Sequence, residues 1–383
     1  MNMKYVNPFI VAGKIDRRYF CDRKDESLWL TRKILNGNNV VVISPRRMGK
    51  TGLILYCLEG DEIRSDYISI FIDILQTSSL KEFTYTLGRS VFESIAPRGS
   101  RYLQSFVAAL KSLRSYFGFD PMTGSPTFNI ELGDISKPEI TLEEIFNYLE
   151  GASQRCVVAI DEFQQIGKYP EKNVESLLRS HIQRCSNGNF IFAGSERHMM
   201  QRMFLDSSSP FYQSADILEL HPIPKDVYVD FVKGNFIEFD RNISQNAIEN
   251  VYDLFEGHTF YMQKTFNEVF AQTLPGETSD NEEVDNAIGG MIGMQDTLYR
   301  EILSNIPLKQ KELLYAVALN GSAEKITSVD FIRENSLQSA SSVQSAARIL
   351  TEKGLLTVED KVYRVTDRLF AMWIQRNIGN RLF

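Results

Sequence analysis

The sequence predicts an α/β domain on a mostly parallel sheet, then a helical segment, then a winged helix-turn-helix. Three observations carry this reading. Short β-branched runs alternate with helical patterns as far as about residue 223; the β signal stops at Lys225; and the block from 305 reads as three helices, a two-strand hairpin and a closing helix. A length of 383 residues allows two or three domains, and 43% apolar with 24% charged residues excludes a disordered or collagen-like chain.

Val40-Val-Val-Ile43, flanked by Asn38-Asn39 and Ser44-Pro45, has no polar alternation, so it reads as a strand covered on both faces. A helix starting near Gly49 follows, with Leu53, Ile54, Cys57 and Leu58 on one face. Residues 67–74 read as a second apolar strand, ending in Asp73, its one charged residue. Helices are expected from Leu80 to Ile95 and from Arg101 to Tyr116, with a loop or small hairpin over the Gly- and Pro-rich 118–139. Thr141 with Glu144 three residues on reads as a capping box opening the next helix. Strands are expected at 156–160, 189–195 and 216–223, with a helix over 173–185. Helical patterns then cover 225–237, 244–256, 260–273 and 281–304. In the last block, helices at 308–319, 327–335 and 340–353 precede a hairpin turning at Glu359-Asp360 and a helix over 366–377. The expected domains are therefore 1–223, 224–304 and 305–383.

Composition narrows the class. No stretch is long and apolar enough to span a membrane, and the N-terminus lacks the apolar core of a secretory signal. Cys21, Cys57, Cys156 and Cys185 lie far apart without CxxC spacing, and the four histidines show no metal spacing. A cytoplasmic protein without a disulfide framework or zinc site is expected. The net charge is -7, but residues 309–383 carry 11 Lys/Arg against 8 Asp/Glu. That mildly basic tail is a weak pointer to an acidic partner.

Chemistry is concentrated at strand ends. In VVVISPRRMGKT, Gly49-Lys50-Thr51 follows a buried strand and opens a helix, the context a phosphate-binding loop requires. Gly49 lets backbone N–H groups approach phosphate oxygens, and the helix N-terminus adds free donors and partial positive charge. Lys50 can reach the β- and γ-phosphates, and the Thr51 hydroxyl can bind Mg²⁺. Against GxxxxGK[ST], Ser44 stands where the first glycine would be. Arg46 and Arg47 could bind phosphate or pair with neighbouring acids. In CVVAIDEFQQI, Asp161 ends a buried strand where it can hold the Mg²⁺ water shell, and Glu162 can orient and deprotonate an attacking water. In NFIFAGSERHMM, Ser195 is placed either to sense the γ-phosphate, with Gly194 allowing close approach, or to cap the next helix.

The order of an N-terminal DRxxE stretch, strand-GKT, strand-DE, strand-GS, helical lid and winged helix resembles the archaeal-type AAA+/STAND P-loop ATPases (the MNS clade) over nearly the whole chain. SPRRMGKT resembles that family's GPRRxGKT loop, which implies nucleotide contacts from Pro45, Arg46, Arg47, Met48, Gly49, Lys50, Thr51 and Gly52. NPF at 7–9 and YFCDRKDE at 19–26 are similar to its N-terminal stretch, and the resemblance implies that Phe20, Asp22, Arg23 and the residues on to Glu26 lie near the adenine. EGHTFYMQ is similar to the lid segment GxPxYLQ, which lies against the nucleotide, implying nucleotide contacts from His258 and Tyr261, with Thr259 where the proline would be. The implied activity is slow, Mg²⁺-dependent ATP hydrolysis that resets a conformational switch. Lys50, Glu162 and Ser195 are its catalytic residues, Thr51 and Asp161 its Mg²⁺ ligands, and ATP/ADP its nucleotides. No arginine finger has a supporting motif. Since Phe383 follows closely on the last helix, an effector is expected to be a separate protein. The helix over 340–353 offers mainly Ser and Gln besides Arg348 and Lys353, which favours an intramolecular or protein-docking role over duplex DNA. A nucleotide-dependent oligomer, a non-hydrolysing nucleotide scaffold and a DNA-binding regulator stay open.

Overall fold

The computed structural model describes residues 7–11, 13, 16–359 and 361–379. The chain divides into two compact units, Ala12–Pro224 and Met1–Val11 with Lys225–Phe383.

The first unit carries five parallel strands: β1 (Val40–Ile43), β2 (Tyr67–Asp73), β3 (Arg155–Asp161), β4 (Gly188–Gly194) and β5 (Asp216–Glu219), in the spatial order β2-β3-β4-β1-β5. Their apolar runs are continuous because helices cover both faces. Val41 and Ile43 point into one core with Ile70, Val158 and Phe192, while Val40 and Val42 point into the other with Val157, Ala159 and Ile191. The helices are α1 (Lys24–Leu35), α2 (Lys50–Leu58), α3 (Asp61–Asp66), α4 (Leu80–Ile95), α5 (Ser100–Ala109), α6 (Pro138–Gly151), α7 (Val174–Arg184) and α8 (Arg197–Leu205). Neither α1 nor α3 was expected from the sequence pattern.

Two local expectations are corrected by packing. The helix expected over 101–116 breaks at Leu110 (φ -81°, ψ 70°) and continues as a 3₁₀ turn, Lys111–Tyr116. The expected capping box at Thr141 does not form, because Pro138 opens α6 three residues earlier, at a position that suits its missing N–H. Glu144 instead reaches across to the 3₁₀ turn, accepting from the Ser112 backbone N–H at 3.0 Å and its hydroxyl at 2.5 Å. The 118–139 segment does contain a small antiparallel pair, Gly118–Phe119 with Pro126–Thr127.

His181 on α7 is buried and stacks on Phe146, ring centroids 5.1 Å apart. Burial, helped by Arg184, pushes its pKa below the ordinary value. The unfolded chain therefore binds the proton more tightly, so stability is full above about pH 6.5 and falls as the pH drops below it. Urea midpoints at pH 7 and 5 should differ less for His181→Leu than for wild type; equal slopes would show that His181 does not contribute.

The second unit contains α9 (Lys225–Glu238), α10 (Gln245–Leu254), α11 (Thr259–Gln272), α12 (Asn281–Met294), α13 (Asp296–Ser304), α14 (Leu308–Leu319), α15 (Val329–Glu334), α16 (Ala340–Glu352) and α17 (Arg368–Ile378). The wing is the antiparallel pair β6 (Leu356–Glu359) and β7 (Val362–Val365); Asp360 in its turn lies outside the described residues. The lid is not all-helical: Asn242–Ile243 and Thr278–Ser279 form a two-residue parallel pair, too short to leave a sequence pattern. The helix expected over 281–304 divides at Gln295. Beyond the break, Tyr299 stacks on Phe370 at 4.8 Å and Asp296 accepts from the Trp373 indole N–H at 2.8 Å, so α13 packs with the winged helix. The N-terminal NPF segment also departs from the expected 1–223 domain. Phe9 is fully buried among Phe231, Phe236, Phe266 and Phe270, because this aromatic cluster supplies the apolar pocket that its ring needs.

Candidate phosphate-binding and carboxylate site

The carboxyl ends of β1, β3 and β4 lie side by side, because the chain crosses from β1 to the far strand β2 and then fills the gap. In open parallel sheets this edge is where ligands bind. Ser44 extends β1, its N–H reaching the Gly194 carbonyl at 3.4 Å, so the backbone has no need of a glycine there. The left-handed turns fall later, at Arg47 (φ 69°) and at Gly49 (φ 85°), which caps α2. Gly49 carries no side chain to cap the helix, leaving the first-turn N–H groups of α2 for a ligand.

Lys50, Thr51, Asp161, Glu162 and Ser195 join in one network. The buried Lys50 ammonium donates to Asp161 Oδ1 and lies 3.6 Å from Glu162 Oε1. Thr51 Oγ1 donates to Asp161 Oδ2 at 2.5 Å. The Ser195 hydroxyl donates to Glu162 Oε2 at 2.7 Å and accepts from Arg46 Nε at 3.4 Å. Thus Ser195 ties the loop after β1 to the carboxylate after β3. Glu162 sits at φ 58°, ψ 39°, a left-handed conformation that costs a non-glycine residue about 1–3 kcal/mol. Such strain persists only where the surroundings over-determine it.

Three residues in or beside this site were missed by sequence reasoning. Asp73 stands opposite Asp161 in the β2–β3 register; burial, then the Asp161 and Glu162 charges, push its carboxyl above the usual range. Its place at a strand end was the available signal. Gln164 donates to Glu162 Oε2, and Tyr56 on α2 stacks on Phe20 with centroids 4.2 Å apart. No spacing rule separates either from ordinary core residues.

Arg23 has a supporting role in this unit. Its guanidinium is only 2% exposed, and one nitrogen donates to the Met48 carbonyl at 2.9 Å and the His221 carbonyl at 3.1 Å. Another donates to Glu26 at 3.0 Å. Burial lowers its pKa, opposed by Glu26. Arg23 therefore ties the loop before α2, through the Met48 carbonyl, to the backbone at His221. Asp22 pairs with Lys24 at 3.3 Å near the surface, Pro45 is half-buried, and Gly52 lies in the first turn of α2. His258 and Tyr261 belong to the second unit. His258 stands at the N-cap position of α11 without a side-chain capping bond, and Tyr261 is buried against Phe255, its hydroxyl accepting from the Arg368 N–H at 3.0 Å.

The described residues contain no group of three or more His, Cys, Asp or Glu that could hold a metal, and no helix long and apolar enough to cross a membrane. All four cysteines are free and buried; burial raises the Cys57 thiol to about 11, so it is not poised as a thiolate nucleophile.

The comparisons with known proteins fit this geometry. Residues 20–265 match the family described as "ATPase domain predominantly from Archaea", and residues 297–376 match a "Probable winged helix domain". Among solved structures, a Walker-type ATPase of Pyrococcus abyssi is similar at 20% identity and a TM-score of 0.65, covering 96% of this chain and 99% of that one. The Aeropyrum pernix ORC2 protein, solved in ADPNP–ADP complexes, is similar at 13% identity and 0.55, covering 96% and 97%. The A. pernix ORC1 protein, solved with DNA, is similar at 13% and 0.51, covering 95% of each. No curated protein matches significantly. The fold is that of a P-loop ATPase: a parallel sheet flanked by helices, followed by a helical region with a winged helix. Because the family match spans well over half of its length, the chain belongs to the ATPase domains found predominantly in Archaea.

Proposed function

We propose that the chain is an Mg²⁺-dependent ATPase whose slow turnover resets a conformational switch of the STAND type. The observation that carries this is the convergence of Lys50, Thr51, Asp161, Glu162 and Ser195 at three adjacent strand ends. The Thr51 hydroxyl and Asp161 carboxylate meet at one point and offer hard oxygen donors, a fit for Mg²⁺, which takes one or two protein oxygens besides waters and phosphates. Held there, it supplies positive charge against the phosphates.

The chain's own groups divide the remaining work. Free N–H groups at the start of α2 and the Lys50 ammonium hold the β- and γ-phosphates and offset charge as it develops. Glu162 orients a water through Oε1 and takes its proton as the water oxygen bonds to the γ-phosphorus. The bond to the ADP oxygen breaks, leaving ADP and phosphate. Ser195 and Arg46 flank that position. Tyr56, covered on its other face by Arg17 at 4.0 Å, backs the Phe20 ring, and the adenine-side role of Phe20 and the nucleotide contacts of His258 and Tyr261 are supported by the motif resemblance alone.

The test is steady-state ATP hydrolysis by wild type and Lys50→Ala with Mg²⁺, together with release and chromatography of bound nucleotide. Turnover in wild type and its loss in Lys50→Ala, by at least about 100-fold, are expected. Co-purified nucleotide without turnover would favour a clamp; neither would overturn the reading.

For the winged helix we propose docking to an effector protein. On α16 the exposed cation is Arg348, which pairs with Glu352 at 3.4 Å, so this helix offers little positive charge to a duplex. Salt-sensitive binding of duplex DNA by the full chain at about 50 mM salt would reverse that preference.

A further inference from the structure

Gln164 is fully buried at the start of the 3₁₀ turn Phe163–Lys168, directly after β3. Its amide nitrogen donates to Glu162 Oε2 at 2.5 Å, the same oxygen that accepts from Ser195 Oγ at 2.7 Å. Its amide oxygen is also buried and has no hydrogen-bond partner. For filling space, that is a poor choice: leucine or methionine would occupy similar volume without burying an unsatisfied acceptor. The surroundings also make room for this amide. A Cβ on Gly194, at the end of β4, would lie 2.6 Å from the Gln164 oxygen and 2.4 Å from Met200.

We infer that Gln164 is a positioning residue for Glu162. With Oε2 held by the Gln164 amide and the Ser195 hydroxyl, the carboxylate turns Oε1 toward Lys50, which lies 3.6 Å away. Two donors on one oxygen fix both the rotamer of Glu162 and its left-handed backbone, so the water-orienting oxygen points toward the phosphate site without rearrangement. An amide does this without adding charge, whereas a carboxylate at 164 would repel Glu162. Gly194 acts in the same arrangement by leaving space for the amide.

This inference rests on the ATPase reading, and the experiment separates the two. Wild type, Gln164→Met, Glu162→Gln and the double variant are compared by single-turnover ATP hydrolysis, equilibrium ATP binding and thermal unfolding. Gln164→Met should lower the hydrolysis rate at least tenfold, leave the ATP dissociation constant within twofold, and leave the melting temperature equal or higher. In the Glu162→Gln background the same substitution should cost less than twofold, because the group it positions is gone. Gln164→Met turnover at the wild-type rate, while Glu162→Gln is impaired, overturns the positioning role and leaves the ATPase reading standing. An equal loss in both backgrounds, or loss of ATP affinity or melting temperature with the rate, makes Gln164 merely structural and overturns it as well. No hydrolysis by wild type overturns the ATPase reading and this inference together.

Discussion

Glu162→Gln is expected to lower ATP turnover by about 100- to 10,000-fold while changing ATP affinity less than about twofold. The substitution keeps volume and one acceptor oxygen but replaces the other, the group that takes the proton, with an NH2 donor. The fixed Oε2 contacts argue that the side chain will stay in place: Ser195 Oγ can still donate to the amide oxygen of the new residue. Single-turnover hydrolysis and equilibrium ATP binding on the same preparation check both halves. Turnover equal to wild type would remove Glu162 from the reaction and, with it, the proposed mechanism.

Arg23→Ala should destabilise the unit Ala12–Pro224 by about 3 kcal/mol, the scale for losing two charge-assisted hydrogen bonds to buried carbonyls. For a unit of this size, that corresponds to a melting temperature lower by roughly 6–12 °C. ATP affinity should fall as well, because the Met48 carbonyl is in the phosphate loop and loses the donor that holds it. Arg23→Lys should rescue little. A single ammonium cannot reproduce the planar fork that spans Met48, His221 and Glu26. Calorimetry with nucleotide titration would decide; an unchanged melting temperature would mean that Arg23 contributes no support, and an unchanged affinity would mean that the support does not reach the phosphates.

The two effects separate chemistry from architecture. Glu162 is strained and only partly buried, so its replacement by the equally sized Gln should spare the fold, whereas Arg23 is buried and paired, so its loss should damage it. Both act on the loop-and-strand-end geometry of a single unit.

Elements that carry a period or a punctuation mark were readable from residue order alone. The apolar runs at 40–43, 67–74 and 156–160 read as strands covered on both faces, and Gly49-Lys50-Thr51 after the first of them marked a helix N-terminus as the candidate phosphate site. Asp161, Glu162 and Ser195 were legible because they end such runs, where a parallel sheet presents its side chains to a ligand. Tertiary structure alone decided the rest, because those choices depend on partners remote in the chain. The sheet order placing β4 between β3 and β1 brought Ser195 onto Glu162. Arg23 became a buttress because Met48 and His221, 25 and 198 residues away, supplied two buried carbonyls. Pro138 and the needs of Ser112 took Glu144 out of its expected capping box. Phe9 left the first domain because an aromatic cluster in the helical unit could bury its ring. Local pattern specifies what a segment can become; long-range burial and hydrogen bonding choose among polar partners that sequence spacing leaves equivalent.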